Sequence, residues 1–157
     1  MCGISGVIGT NIENKDKVIG DMVSAIIHRG PDQDGFFVDD TVGLGMRRLS
    51  IIDLSAGKQP IYSQDKKSLI FFNGEIYNYL ELRKELVAQG KTFDTHSDTE
   101  VILQMYETYG EKMLPRLRGM FAFCIYNIEQ KTIFIARDFF GIKPLNRHGF
   151  WDGENRT

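Results

Sequence analysis

Cysteine is scarce, with only Cys2 and Cys124 in 157 residues. Two thiols are too few for a disulfide framework, and the chain is read as cytoplasmic with both thiols reduced. Long apolar runs are missing as well. No stretch approaches the ~20 residues that span a bilayer, and the first residues lack the basic and apolar regions of a signal peptide. Charge of one sign is absent too, since the formal net charge is -2 with acids and bases interspersed. That balance excludes the electrostatic footprint of a nucleic-acid or anionic-membrane binder. There is no glycine loop of the P-loop kind, and His28, His96 and His148 show no metal-ligand spacing, so no metal is expected. What remains is the length and composition of one globular domain.

Its apolar residues are patterned in short segments. Residues 3 to 10 predict a strand, and Val18, Met22, Ile26 and Ile27 predict a helix that stops at His28-Arg29-Gly30-Pro31, where cations, glycine and proline end a helix well. Residues 36–38 and 42–49 follow as strands, the second with Val42, Leu44 and Met46 alternating against Gly43, Gly45 and Arg47. The continuous run from Leu69 to Phe72 predicts a strand covered on both faces. Asn78 with Glu81, and Ser97 with Glu100, resemble capping boxes opening two helices. Two further strands, 119–128 and 132–137, predict a hairpin. Strands in neighbouring pairs with helices between them favour an α+β class of antiparallel sheets with helices outside over a parallel doubly wound fold.

Four positions can carry chemistry. Removal of Met1 would give Cys2 a thiol and a free α-amine, a nucleophile with its own base, because an α-amino group titrates near pH ~7.7 to 8.0. From position alone, Cys2 reads more readily as a small apolar residue of a buried first strand. The Asn73 amide and the Gly74 N–H can donate two hydrogen bonds to an oxyanion, yet Asn-Gly between apolar runs is also a common hairpin turn. Arg48 shares the face of Val42, Leu44 and Met46, so its guanidinium needs an anion, either a substrate carboxylate or a structural partner such as Asp53. Asp98 suits the first turn of a helix, and with Glu75 it can hold a substrate ammonium. Cys124 reads as core.

Several motifs occur together: Met1-Cys2-Gly3-Ile4, Arg29-Gly30-Pro31-Asp32, Arg48-Leu49-Ser50-Ile51, Asn73-Gly74-Glu75-Ile76-Tyr77-Asn78, Ser97-Asp98-Thr99-Glu100, Gly119-Met120-Phe121-Ala122-Phe123, Arg137-Asp138 and Gly141-Ile142-Lys143-Pro144-Leu145. In this order the set resembles the glutaminase domain of glutamine-dependent asparagine synthetases, a class II glutamine amidotransferase of the N-terminal nucleophile hydrolase superfamily. The resemblance covers residues 2–145, and residues 146–157 read as a divergent polar tail. It implies a four-layer αββα sandwich whose C-terminal strands are missing here. It also implies Cys2, Asn73 and Gly74 as catalytic residues. Glutamine would be bound by Arg48, Leu49, Ile51, Asn73, Gly74, Glu75 and Asp98. No cofactor is implied for this chain, because ATP and Mg belong to a synthetase domain expected in the full-length protein. The partners implied are L-glutamine and that domain, with no nucleic acid and no membrane, and a homodimer is compatible. The competing reading is a catalytically silent docking or structural module.

Overall fold

The computed structural model describes residues 2–49 and 58–149. Its first sheet has three strands in the order β1-β3-β2, antiparallel throughout: β1 (Gly3–Ile8), β2 (Gln33–Val38) and β3 (Val42–Arg48). The second has four, ordered β4-β5-β6-β7, also antiparallel: β4 (Ile61–Tyr62), β5 (Ser68–Ile76), β6 (Gly119–Asn127) and β7 (Thr132–Arg137). Among the described residues three α-helices complete it, α1 (Lys15–Ala25), α2 (Tyr79–Ala88) and α3 (Asp98–Tyr109), with 3-10 turns at Ile27–Arg29 and Gly110–Arg116.

Side-chain alternation builds the layers. Between the sheets, Val42, Leu44 and Met46 of β3 meet Leu69 and Phe71 of β5 and Cys124 and Tyr126 of β6. The other face of the second sheet, with Ile70, Phe72, Ile76, Phe123 and Ile125, packs on Leu82 and Leu86 of α2 and Val101, Ile102 and Met105 of α3. β5 is therefore covered on both faces, as its apolar run predicts. On the outside of the first sheet, Ile19 and Val23 of α1 lie over Gly43 and Gly45, where an added Cβ would meet them. The result is an αββα sandwich.

Several local expectations need correction. α1 buries Lys15, Ile19 and Val23, one position round from Val18 and Met22, because the face is chosen by the glycine trough of β3. Asn73-Gly74 is not a hairpin turn: it lies inside β5, which continues to Ile76 and pairs with the distant β6. Asn78 does precede α2, but it makes no side-chain cap. Its amide donates to Arg116 O and accepts from Arg118 N, tying α2 to the segment entering β6. At α3 half of the predicted box forms, with Ser97 Oγ accepting Glu100 N–H. The Glu100 carboxylate turns instead to the N–H groups of Asp94 and Thr95. The short β4 carries no alternation in sequence and is an addition.

Candidate active site

One end of the sandwich gathers the candidate residues. Register pairs Gly3 with Arg47, so Cys2 lies at the head of β1 beside Arg48, the last residue of β3. Cys2 and Ile4 pack against the inter-sheet core. The Cys2 thiol is half-buried, with Sγ 4.0 Å from Leu49 O. Arg48, beyond Val42, Leu44 and Met46 on that inner face, donates from Nη1 to Gln33 Oε1 at 3.0 Å. Leu49 is half-buried. Ile51, and Asp53 as an alternative partner for Arg48, lie outside the described residues.

The opposing sheet contributes Asn73, Gly74 and Glu75 from the end of β5. Asn73 shares the inner face with Leu69 and Phe71 and is buried, whereas Glu75 is exposed. The direction of the Gly74 N–H follows from the hydrogen-bond phase, since N–H and C=O of alternate residues point to opposite edges of a strand. Tyr77 N donates to Arg118 O, so odd-numbered residues of β5 face β6. Phe72 N and O bind the Gln59 side chain, and Ile76 N binds Asp98, so even-numbered residues face the other edge. Phe121, opposite Gly74, turns its own N–H and C=O to Asp138. Gly74 N–H therefore points out of the ladder, and no described residue accepts it. Glycine is required there: an added Cβ would run into Met120 O and come within 2.7 Å of Phe121 Cα.

Asp98 joins the group from the first turn of α3. Its Oδ2 accepts Ile76 N–H at 3.0 Å, which brings it to the edge two residues beyond Gly74. Burial pushes its carboxyl above the ordinary range, partly offset by the N–H groups of Ile76 and Thr99, and the Glu75 charge adds to the upward push. The Glu75 charge thus opposes ionisation of Asp98, an arrangement that a cation would relieve.

Cys124 is elsewhere in character, buried in the inter-sheet core with its thiol pushed up to about 12 by burial. An inert core thiol is what its strand position predicts. A separate groove of about 490 Å³, lined by Asp65, Lys67, Tyr106 and Glu107 among others, opens beside α3 and the start of β5, away from Cys2. Among the described residues no cluster of His, Cys, Asp and Glu fit for a metal occurs, and no helix is long and apolar enough to cross a membrane. Sequence reading passes over Gln59 and gives Asp138 only as part of the Arg137-Asp138 motif, without a role. Both are buried polar residues outside the patterned segments, and their backbone partners become visible only in three dimensions.

Two antiparallel sheets between helix layers define the N-terminal nucleophile hydrolase fold. Among solved structures, glutamine phosphoribosylpyrophosphate amidotransferase from B. subtilis, complexed with ADP and GMP, matches with a TM-score of 0.52 and 27% identity, over 64% of this chain and 24% of that one. The chain belongs to the glutamine amidotransferase domain family, whose model matches residues 1–155. It is 52% identical over 149 residues to asparagine synthetase [glutamine-hydrolyzing] 1 of Bacillus subtilis (strain 168), covering 92% of this chain and 24% of that protein. Asparagine synthetase B [glutamine-hydrolyzing] of Escherichia coli (strain K12) is 43% identical over 147 residues, with 92% and 26% covered. The chain thus spans about a quarter of the length of these curated relatives.

Proposed function

We propose that this chain hydrolyses the side-chain amide of L-glutamine and hands the ammonia to asparagine synthesis as the glutaminase part of a glutamine-hydrolysing asparagine synthase. The observation that carries the reading is the open Gly74 N–H beside Asn73, at the same end of the sandwich as Cys2 and Arg48. An N–H left out of a ladder is a preorganised donor for a charge that develops only in the transition state.

In the proposed reaction Met1 is first removed, which frees the Cys2 amine. That amine takes the thiol proton, directly or through one water, and the sulfur attacks the carboxamide carbon. The carbonyl electron pair moves to oxygen, held by the Asn73 amide and the Gly74 N–H. Collapse of this tetrahedral species expels ammonia, which takes the proton from the Cys2 ammonium and leaves a γ-glutamyl thioester. Water, deprotonated by the same amine, then splits the thioester to glutamate and the Cys2 thiol. Arg48, with Leu49 and Ile51 beside it, binds the substrate α-carboxylate, and Glu75 and Asp98 bind its ammonium. No step calls on a cofactor from this chain. ATP and Mg are assigned to the synthetase domain of a longer protein, and the compartment proposed is the cytoplasm.

The test is glutamate release from glutamine by the unaltered chain and by Cys2→Ala, with the mature N-terminus measured by intact mass. Activity that survives Cys2→Ala rejects the nucleophile. Retained Met1, with no labelling of Cys2 by a glutamine-like diazoketone, supports the silent docking module instead.

A further inference from the structure

Along the edge of β5 that faces away from β6, the outward-pointing groups of Ser68, Phe72 and Ile76 meet occupants of different kinds. Ser68 is met by Ser63, and β4 covers only Leu69 and Ile70. Beyond that point no strand continues among the described residues. Instead the Gln59 carboxamide lies against Phe72, with Nε2 donating to Phe72 O at 3.1 Å and Oε1 accepting Phe72 N–H at 2.6 Å. This side chain, 7% exposed, reproduces both hydrogen bonds of a strand partner. Two residues past Gly74, Asp98 takes Ile76 N–H. Gly74 N–H is the donor left open between these two plugs.

Gln59 is also anchored to the other sheet. At Gly35 of β2 an added Cβ would run into Gln59 O, so the Gln59 backbone is seated on the first sheet while its side chain holds the second. We infer that Gln59 is a positioning residue: it acts as a one-residue strand that keeps β5 straight beside Asn73 and Gly74 and aims the Gly74 N–H at the substrate oxygen. The inference rests on the proposed glutaminase reading and adds a residue that touches neither substrate nor nucleophile. A donor displaced by an ångström or less weakens transition-state stabilisation while leaving the substrate's charged groups bound.

Two variants and two readouts test it. Gln59→Leu keeps the bulk and removes both hydrogen bonds, and kcat for glutamine hydrolysis is expected to fall roughly tenfold to a hundredfold with KM nearly unchanged. A purely structural role would lower the melting temperature and leave kcat per folded molecule alone, which overturns the inference. If Gln59→Leu does not fold, Gln59→Glu decides. Its carboxylate lacks the donor for Phe72 O, whereas its protonated carboxyl restores the amide pattern. The ratio of variant to unaltered kcat should therefore rise as pH falls into the titration range of that buried carboxyl, and a ratio near one at every pH overturns the inference. Should the unaltered chain release no glutamate, the glutaminase reading fails by itself. The amide resonance of Gly74 in the 15N-labelled chain still judges Gln59, because it should follow pH differently in Gln59→Glu from the unaltered chain, in which titration of the nearby Asp98 already moves it. An identical pH course in both rejects the positioning role.

Discussion

The two ends of the sandwich are built on opposite plans. At the end where β2 turns into β3 and β6 into β7, polar groups satisfy one another across the sheets. Tyr126 Oη and Lys131 Nζ each donate to Asp39 Oδ2 at 2.8 Å, and Thr41 N and Val42 N each donate to Asp39 Oδ1 at 2.8 Å. Lys15, the buried first residue of α1, donates to the carbonyls of Asp39 and Asp40. At the other end lie the half-buried Cys2, the open Gly74 N–H and a carboxyl that burial pushes up. A clasped end holds the sheets in register, while the opposite end keeps the groups assigned to the proposed glutamine site. Perturbing the open end should change chemistry with little loss of stability, and perturbing the clasp should do the reverse.

The sharpest break in that contrast is Asn73→Ala. Losing one oxyanion donor should cost roughly 100- to 1,000-fold in kcat, read by steady-state glutamate release, with acid unfolding of the clasp unmoved. A loss confined to KM would move Asn73 from the transition state to ground-state binding. Asp98→Asn comes next. If Asp98 pairs with the substrate ammonium as proposed, removing its charge should raise KM by about ten- to a hundredfold, equivalent to about 1.5–3 kcal/mol, with a smaller effect on kcat. Because its carboxyl titrates above the ordinary aspartate range, KM of the unaltered chain should climb as pH falls through that titration, and the variant's KM should be flat there. A KM that climbs equally in both clears Asp98 of this part.

Legibility in the sequence follows the same contrast. Strands and helices that bury one face announce themselves by period, so β1, β3, β6, β7 and α3 were readable, and the double coverage of β5 showed in its unbroken apolar run. Arg48 was placed on the inner face by alternation alone. Asn73-Gly74 was ambiguous, because a two-residue turn and the interior of a strand share that dipeptide, and only the long-range pairing to β6 separates them. Gln59 and the side-chain roles of Asn78 and Asp138 were invisible, since each binds backbone of a segment 13 to 40 residues away and leaves no local pattern.

At the clasp, Asp39→Asn should have the larger effect. Burial opposes ionisation of Asp39, but the Lys131 ammonium, the Val42 N–H, the Tyr126 hydroxyl and the Thr41 N–H together bring its carboxyl down to about 2 from an ordinary 3.8. A depressed carboxyl contributes stability that is present above the unfolded value and lost as pH falls through the folded one. The variant should therefore be less stable than the unaltered chain near pH 6, and the gap should close between roughly pH 4 and pH 2, in chemical denaturation followed across that range. A gap that persists to pH 2 would show that the lost charge is not its source.

Tyr126→Phe is the gentlest probe. The ring is fully buried in the inter-sheet core and tilted against Phe37 at 5.6 Å between centroids, so the substitution keeps the packing and removes one hydroxyl. That hydroxyl stays protonated, because burial and the bond to Asp39 both push its titration up, and it acts as a donor throughout the neutral range. Asp39 Oδ2 keeps Lys131 as a partner in the variant, so the loss should be one hydrogen bond, about 0.5–1.5 kcal/mol of unfolding free energy. Asp39 should also protonate at a higher pH than in the unaltered chain, because one of the groups holding it down is gone. With the strands near Cys2 undisturbed, kcat and KM should stay within a factor of about two. A drop in kcat larger than this, at full folding, would mean that the clasp sets the geometry of the open end and that the two ends are coupled through the length of β5 and β6.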